Sequence, residues 1–147
     1  MDMKLEVLVI PVSDVDRAKD FYTRAGFRLD ADFPIEDGYR IVQVTPPGSE
    51  ASIIFGEGLS SATPGSAQGI HLIVTDLVAA KAELEGKGVE VSDYFRHGSG
   101  AFHHADAAKN VTGLDPERRS YGSFASFSDP DGNGWVLQEI VERAPGR

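Results

Sequence analysis

Oxygen and nitrogen donors gather at two places in this chain. In DPDGNGWVLQE (Asp129–Glu139), Asp129, Asp131 and Asn133 alternate ahead of Gly134, the spacing with which a calcium loop opens. A calcium loop also needs a bidentate Glu at its twelfth position, where this chain has Ile140 and where Glu139 falls one short. The flanking YGSFASFS and WVLQEI alternate like strands, whereas a calcium loop lies between helices. A proline second in the stretch, with Asp-Gly and Asn-Gly after it, suits a reverse turn. The stretch reads as a hairpin turn.

The second place is a set of histidines. His71 sits in the apolar run GIHLIV, and His103 and His104 are adjacent in AFHHADA. An imidazole in a partly apolar setting titrates near working pH, so His71 is the candidate general acid–base. A hydrogen-bonded structural histidine explains it equally well. Period-two alternation puts His71 on the strand face of Gly69, and Gln138 on the strand face of Val136. His71, His103 or His104, and Gln138 together are an atypical donor set for zinc, iron or nickel. Against that set, adjacent histidines in extended chain point opposite ways, and an amide is a weak ligand. Gln43 in YRIVQV is a candidate to orient a ligand, and Phe102 and Tyr121 to line its cavity; strand-face polarity and simple packing are the alternatives. Arg118 and Arg119 have the chemistry to clamp an anion, although adjacent loop arginines are usually solvated. No phosphate-binding glycine loop and no nucleophile elbow occurs.

Composition bounds these options. The chain has 147 residues, 41% hydrophobic and 25% charged, as in ordinary globular proteins. With no cysteine there is no disulfide, thiolate nucleophile or thiolate metal site. Fourteen scattered basic residues against 23 acidic ones, net −9, argue against a nucleic-acid partner and suit a cationic guest if they suit any. No apolar run approaches the roughly 18 residues of a membrane span. The N-terminal MDMKLEVLVIPV reads as a first strand rather than a leader, so a cytoplasmic location is expected.

The elements that must position these groups come as a repeat. VSDVDRAKDFYTRAGFRL (Val12–Leu29) aligns without gaps on VTDLVAAKAELEGKGVEV (Val74–Val91), at an offset of 62 residues. Each copy reads strand, capped helix, glycine stop, strand. Val15, Ala18, Phe21, Tyr22 and Ala25 share one face of the first helix; Leu77, Ala80 and Leu84 mark the second. YRIVQVTP and EASIIF extend the first copy into βαβββ, and YGSFASFS and GWVLQEI extend the second. The expected layout is one domain over 1–147: a module at about 4–56, a Gly/Ser-rich flexible linker at 57–68, and a module at about 69–143 with an insertion at 93–120.

Two βαβββ units, V-x-D-L/V-x-x-A openings, FY-x-x-x-GF at Phe21–Phe27 and a closing F-x-DPDGN together resemble the vicinal oxygen chelate superfamily. That group includes glyoxalase I, extradiol dioxygenases, fosfomycin-modifying enzymes and bleomycin-resistance proteins. The resemblance covers nearly the whole chain apart from the insertion. It implies an α+β fold whose two modules form a cupped, mostly antiparallel eight-stranded sheet with helices outside, enclosing a small molecule. Metal-dependent members hold a divalent ion by residues on the first and last strands of each unit, here Val7, Ile54, Gly69 and Val136. None of these can ligate a metal, so no cofactor is expected at the usual site. The expectation is then an atypical lyase or isomerase working through His71, with the insertion as a lid carrying His103, His104 and Tyr121. The alternative is a metal-free protein that sequesters a drug, as the bleomycin-resistance members do. A homodimer exchanging modules is compatible with either.

Overall fold

A computed structural model of the chain describes residues 1–97 and 110–147, with the side chains of residues 35 and 36 excepted. The chain forms two compact units: Met1–Gln68 with Ser128–Gly134, and Gly69–Phe127 with Trp135–Arg147.

In unit 1, β1 (Val7–Val9) leads to helix α1 (Val15–Arg24), then β2 (Arg28–Glu36), β3 (Tyr39–Thr45) and β4 (Ser52–Glu57). The Asp14 carboxylate caps α1 by accepting from Arg17 N. Val15, Ala18, Phe21, Tyr22 and Ala25 are all buried, so the helical stripe legible in the sequence is the packed one. Gly26 ends the helix at φ 104°, a conformation that an L side chain rarely adopts. The sheet order is β1-β4-β3-β2, with β1 parallel to β4 and the other pairs antiparallel. Val42, Val44, Ile53 and Phe55 form its buried face, and Tyr22 of α1 lies 5.6 Å from the Phe55 ring. Strand alternation sends Val9, Ile41, Gln43 and Ile54 to the opposite face.

In unit 2, β5 (Ile70–Val74) precedes α2 (Leu77–Gly86), β6 (Phe95–His97), β7 (Asn110–Thr112), β8 (Phe124–Ser128) and β9 (Gly134–Glu139). Their order is β5-β9-β8-β6-β7, with β5 parallel to β9. Asp76 caps α2 through Ala79 N, as Asp14 caps α1. The repeat ends there energetically: of this helix only Leu77 is fully buried.

The structure corrects several expectations. The α+β class holds, but among the described residues the strands form sheets of four and five in place of one eight-stranded sheet. The expected insertion contributes the strands β6 and β7 to the second sheet. Val89–Val91 is not a strand. The Lys81 ammonium takes the Val91 and Ser92 carbonyls at 3.1 and 2.8 Å, and the ladder is taken up again at Phe95. Tyr121 does not begin β8, because it lies at φ 73°. The Gly/Ser-rich segment is not free either. Gly65 N donates to Pro11 O at 3.1 Å, and a Cβ on Gly65 would meet Asp131 O at 2.0 Å. Glycine is required there by close backbone approach.

Among the described residues, no helix is long and apolar enough to cross a membrane.

Candidate functional site

Unit 2 places several of the polar candidates on one strand face. His71 pairs with Val136 and Ile73 with Gln138, so parallel register sets all four side chains on the same side. His71 is exposed, and its Nδ1 lies 2.8 Å from the Gly69 carbonyl oxygen. A carbonyl only accepts, so Nδ1 is the donor in this contact. Gln138 is buried, and its Nε2 donates to the Tyr121 carbonyl at 3.1 Å. Ser123 stands opposite Glu139 and Phe127 opposite Trp135, so Phe124 falls beside Gln138. Phe95 of β6 stacks on Phe124, with ring centroids 5.5 Å apart at 14°. The face thus combines an imidazole, an amide and a stacked aromatic pair.

The other face of β9 is structural. Trp135 and Leu137 are buried, and Glu139 is 2% exposed. Glu139 accepts from Leu77 N at 2.8 Å, placing a carboxylate at the N-terminus of α2, where the helix dipole favours it. Arg118 grips the same carboxylate through Nε at 2.8 Å and Nη2 at 2.6 Å. That guanidinium, with the Leu77 amide, holds the Glu139 carboxyl below its usual range despite burial. Arg119 grips Asp115 in the same two-pronged way and holds its carboxyl well below the carboxylate range. Both arginine side chains are partly exposed, 41% at Arg118 and 69% at Arg119, yet each is committed to a carboxylate rather than free to clamp an anion. The loop they pin carries two non-glycine residues at positive φ, Arg118 at 52° and Tyr121 at 73°. Tyr121 is held at three atoms: its N–H donates to Glu139 O, its carbonyl accepts from Gln138, and its hydroxyl accepts from Ala144 N.

In unit 1, Gln43 is half-buried on the sheet face turned away from α1, between Ala31 and Ile54. Its neighbours there are Val9, Ile41 and Phe33, the last 60% exposed. The DPDGN turn also belongs to this unit, and its donors hold protein groups. Asp129 accepts from Tyr22 Oη at 2.8 Å, Asn133 Nδ2 at 2.8 Å, and the amides of Asp131 and Asn133. Asn133, fully buried, donates to Pro11 O at 2.8 Å and accepts from Ala67 N at 3.0 Å. Asp131 accepts from the Ser13 amide and hydroxyl and from Arg17. Oxygens spaced like those of a calcium loop are here the rivet between a turn, a strand exit and a helix.

Phe102, His103 and His104 lie outside the described residues. Among the described residues, no three His, Asp or Glu side chains converge as a metal site.

A family model matches residues 4–137. The chain belongs to the glyoxalase/bleomycin resistance protein/dioxygenase superfamily. Among solved structures it is similar to TnmS3, an antibiotic binding protein from Streptomyces sp. CB03234. The two share 31% identity over 95% of this chain and 97% of that one, with a TM-score of 0.67. A superfamily member from Sphaerobacter thermophilus DSM 20745 is 28% identical over 94% of this chain and 98% of that one, with a TM-score of 0.68. The Bacillus subtilis (strain 168) protein YetH is 23% identical over 95% of this chain and all of its own length.

Measured against the superfamily's metal positions, this member lacks donors. Val7 and Ile54 in unit 1 and Gly69 and Val136 in unit 2 offer only hydrocarbon or hydrogen. A divalent ion does not fit there.

Sequence reading missed Phe95 and Phe124 as a stacked pair and Glu139 as the helix anchor. Phe124 carries a partial signal, as an aromatic residue in the strand-like run FASF. Phe95 carries none, because it sits where the register with its neighbour is broken.

Proposed function

We propose that this protein binds a small organic molecule and sequesters it without altering it. The observation that carries the reading is the pairing of the Phe95–Phe124 stack with Gln138 and His71 on one face of unit 2. Phe124 and Gln138 are buried, so the accessible groups are the half-buried Phe95 ring, backed by Phe124, and the exposed His71 imidazole. An aromatic contact beside a directional polar group is what small-molecule recognition needs. The hydrocarbon at the superfamily's metal positions supports binding over metal-assisted chemistry. The likeness to an antibiotic binding protein at 31% identity supports a drug-like guest, and the net charge of −9 favours a cationic one. Titration calorimetry with a bleomycin-class glycopeptide tests this. Saturable heat at micromolar ligand is expected, and no heat at high micromolar ligand overturns it.

A second reading rests on His71. With Nδ1 donating to the Gly69 carbonyl, the exposed ring is held in one orientation on that face, and an imidazole is the side chain suited to move a proton in a lyase or isomerase reaction. Under this reading His71→Ala abolishes turnover of a bound ligand that wild-type protein converts. Recovery of the ligand unchanged from wild-type protein excludes it.

A further inference from the structure

Along β2 and β3 the register is Leu29 with Val44 and then Ala31 with Gln43, so Asp30 is an extra residue on β2. The Asp30 carboxylate is held by two groups: the Thr45 hydroxyl donates to it, and Arg28 Nε lies 2.6 Å from it. Thr45 spends its single proton there, so the contact of 2.6 Å with the Ser52 hydroxyl makes Ser52 the donor to Thr45. A one-way chain, Ser52 to Thr45 to Asp30, therefore locks the bulge. Its consequence lies downstream. After the bulge Asp32 pairs with Val42 on the helix face, where it meets Lys19 at 2.8 Å and Arg40 at 3.0 Å. Phe33 pairs with Ile41 on the opposite, open face. A strand side chain alternates with period two, so losing the extra residue would reverse both placements.

The second repeat does the same at the same offset. Sixty-two residues on, Asp30 becomes Ser92 and Phe33 becomes Phe95. Ser92 N donates to Ser126 O at 2.8 Å, but Ser126 N donates to the Ser92 hydroxyl instead of its carbonyl, at 2.9 Å. The next pairing is Phe95 with Phe124, three residues on against two. Ser92 is again a polar bulge residue locked by its own side chain, and a phenylalanine follows three positions later.

We infer that Asp30 and Ser92 are positioning residues that lock one bulge in each repeat and so present Phe33 and Phe95, each on the sheet of its own unit, as contacts for apolar or aromatic ligand rings. The ligand contact rests on the small-molecule reading above; the positioning does not.

Two readouts on the full chain test the two halves. With 4-fluorophenylalanine at position 33, Asp30→Ala should shift the fluorine resonance. It should also cut its relaxation by a soluble gadolinium chelate at least ~2-fold, as the ring leaves the open face. Asp30→Asn keeps an acceptor for Thr45 and should retain the wild-type signal. Thr45→Val, near-isosteric, serves as the second lock variant if Asp30→Ala does not fold. An unchanged fluorine signal in the lock variants overturns the positioning. The ligand probe is Nile red, a neutral planar dye. Phe33→Ala and Phe95→Ala should each weaken dye binding on their own unit about 5-fold, and Asp30→Ala should match Phe33→Ala without touching the dye. Dye binding within ~2-fold of wild type in both Phe variants, or no dye binding by wild type, overturns the ligand contact. Dye binding that follows these variants while the glycopeptide gives no heat keeps the ring contact and overturns the sequestration reading.

Discussion

Where unit 1 has Val9 at the start of its open face, unit 2, 62 residues on, has His71. Phe33 beside Ile41 in the first unit becomes Phe95 stacked on Phe124 in the second. The helices differ as much. α1 buries five side chains counting Ala25 at its cap, and its Tyr22 both packs on Phe55 and bonds Asp129. α2 buries Leu77 and is held by polar groups: Glu139 at its first amide, and Lys81 reaching the carbonyls of Val91 and Ser92. One topology is thus stabilised in unit 1 by a helix stripe with a riveted turn, and in unit 2 by carboxylate and ammonium anchors. Burying apolar area tolerates substitution in small steps, whereas a buried charge that loses its partner fails abruptly.

The sharpest way to break this contrast is at the rivet. Asp129→Ala leaves the Tyr22 hydroxyl and the Asn133 amide without their acceptor in buried surroundings and should cost about 3–4 kcal/mol, read by urea unfolding. A loss under 1 kcal/mol would show that packing alone holds unit 1. Glu139→Ala should cost somewhat less, about 2–3 kcal/mol, because Arg118 is partly exposed and can rehydrate. Hydrogen exchange should then quicken first in α2; uniform quickening would contradict a local anchor.

Acid tests the anchors together. Glu139 is held below 4.5 and Asp32 at about 2, against 3.8 for an ordinary aspartate. Both are depressed in the folded protein, so their stabilisation is complete above the unfolded values and is lost as pH falls through the folded ones. Wild-type stability should therefore decline below about pH 4.5, and Glu139→Gln should flatten part of that decline. An equally steep decline in the variant would remove Glu139 from the account. The smallest expected effect is His71→Ala, within about 0.5 kcal/mol for an exposed side chain. A larger loss would make His71 structural and weaken its place in the proposed function.

The fold was largely legible. The offset of 62, the Asp14 and Asp76 caps, Gly26 as a helix stop and the turn in DPDGN are local signals, each carried by residues within a few positions. Legibility stopped where a local pattern met a distant partner. Val89–Val91 looks like a strand until Lys81 takes its carbonyl, and Arg118 looks solvated until Glu139 arrives from 21 residues away.

The candidate site divides along the same line. His71 and Gln138 were readable as sharing a strand face, because alternation has a fixed period. The Phe95–Phe124 stack was not, since a bulge adds one residue without any mark in composition. By itself the sequence determined the repeat, the two capped helices and the hairpin turn. Those depend only on residue identity and short-range geometry. Tertiary structure alone decided which carboxylates became rivets and which aromatic rings met, because a buried charge or ring is defined by what the folded chain brings against it.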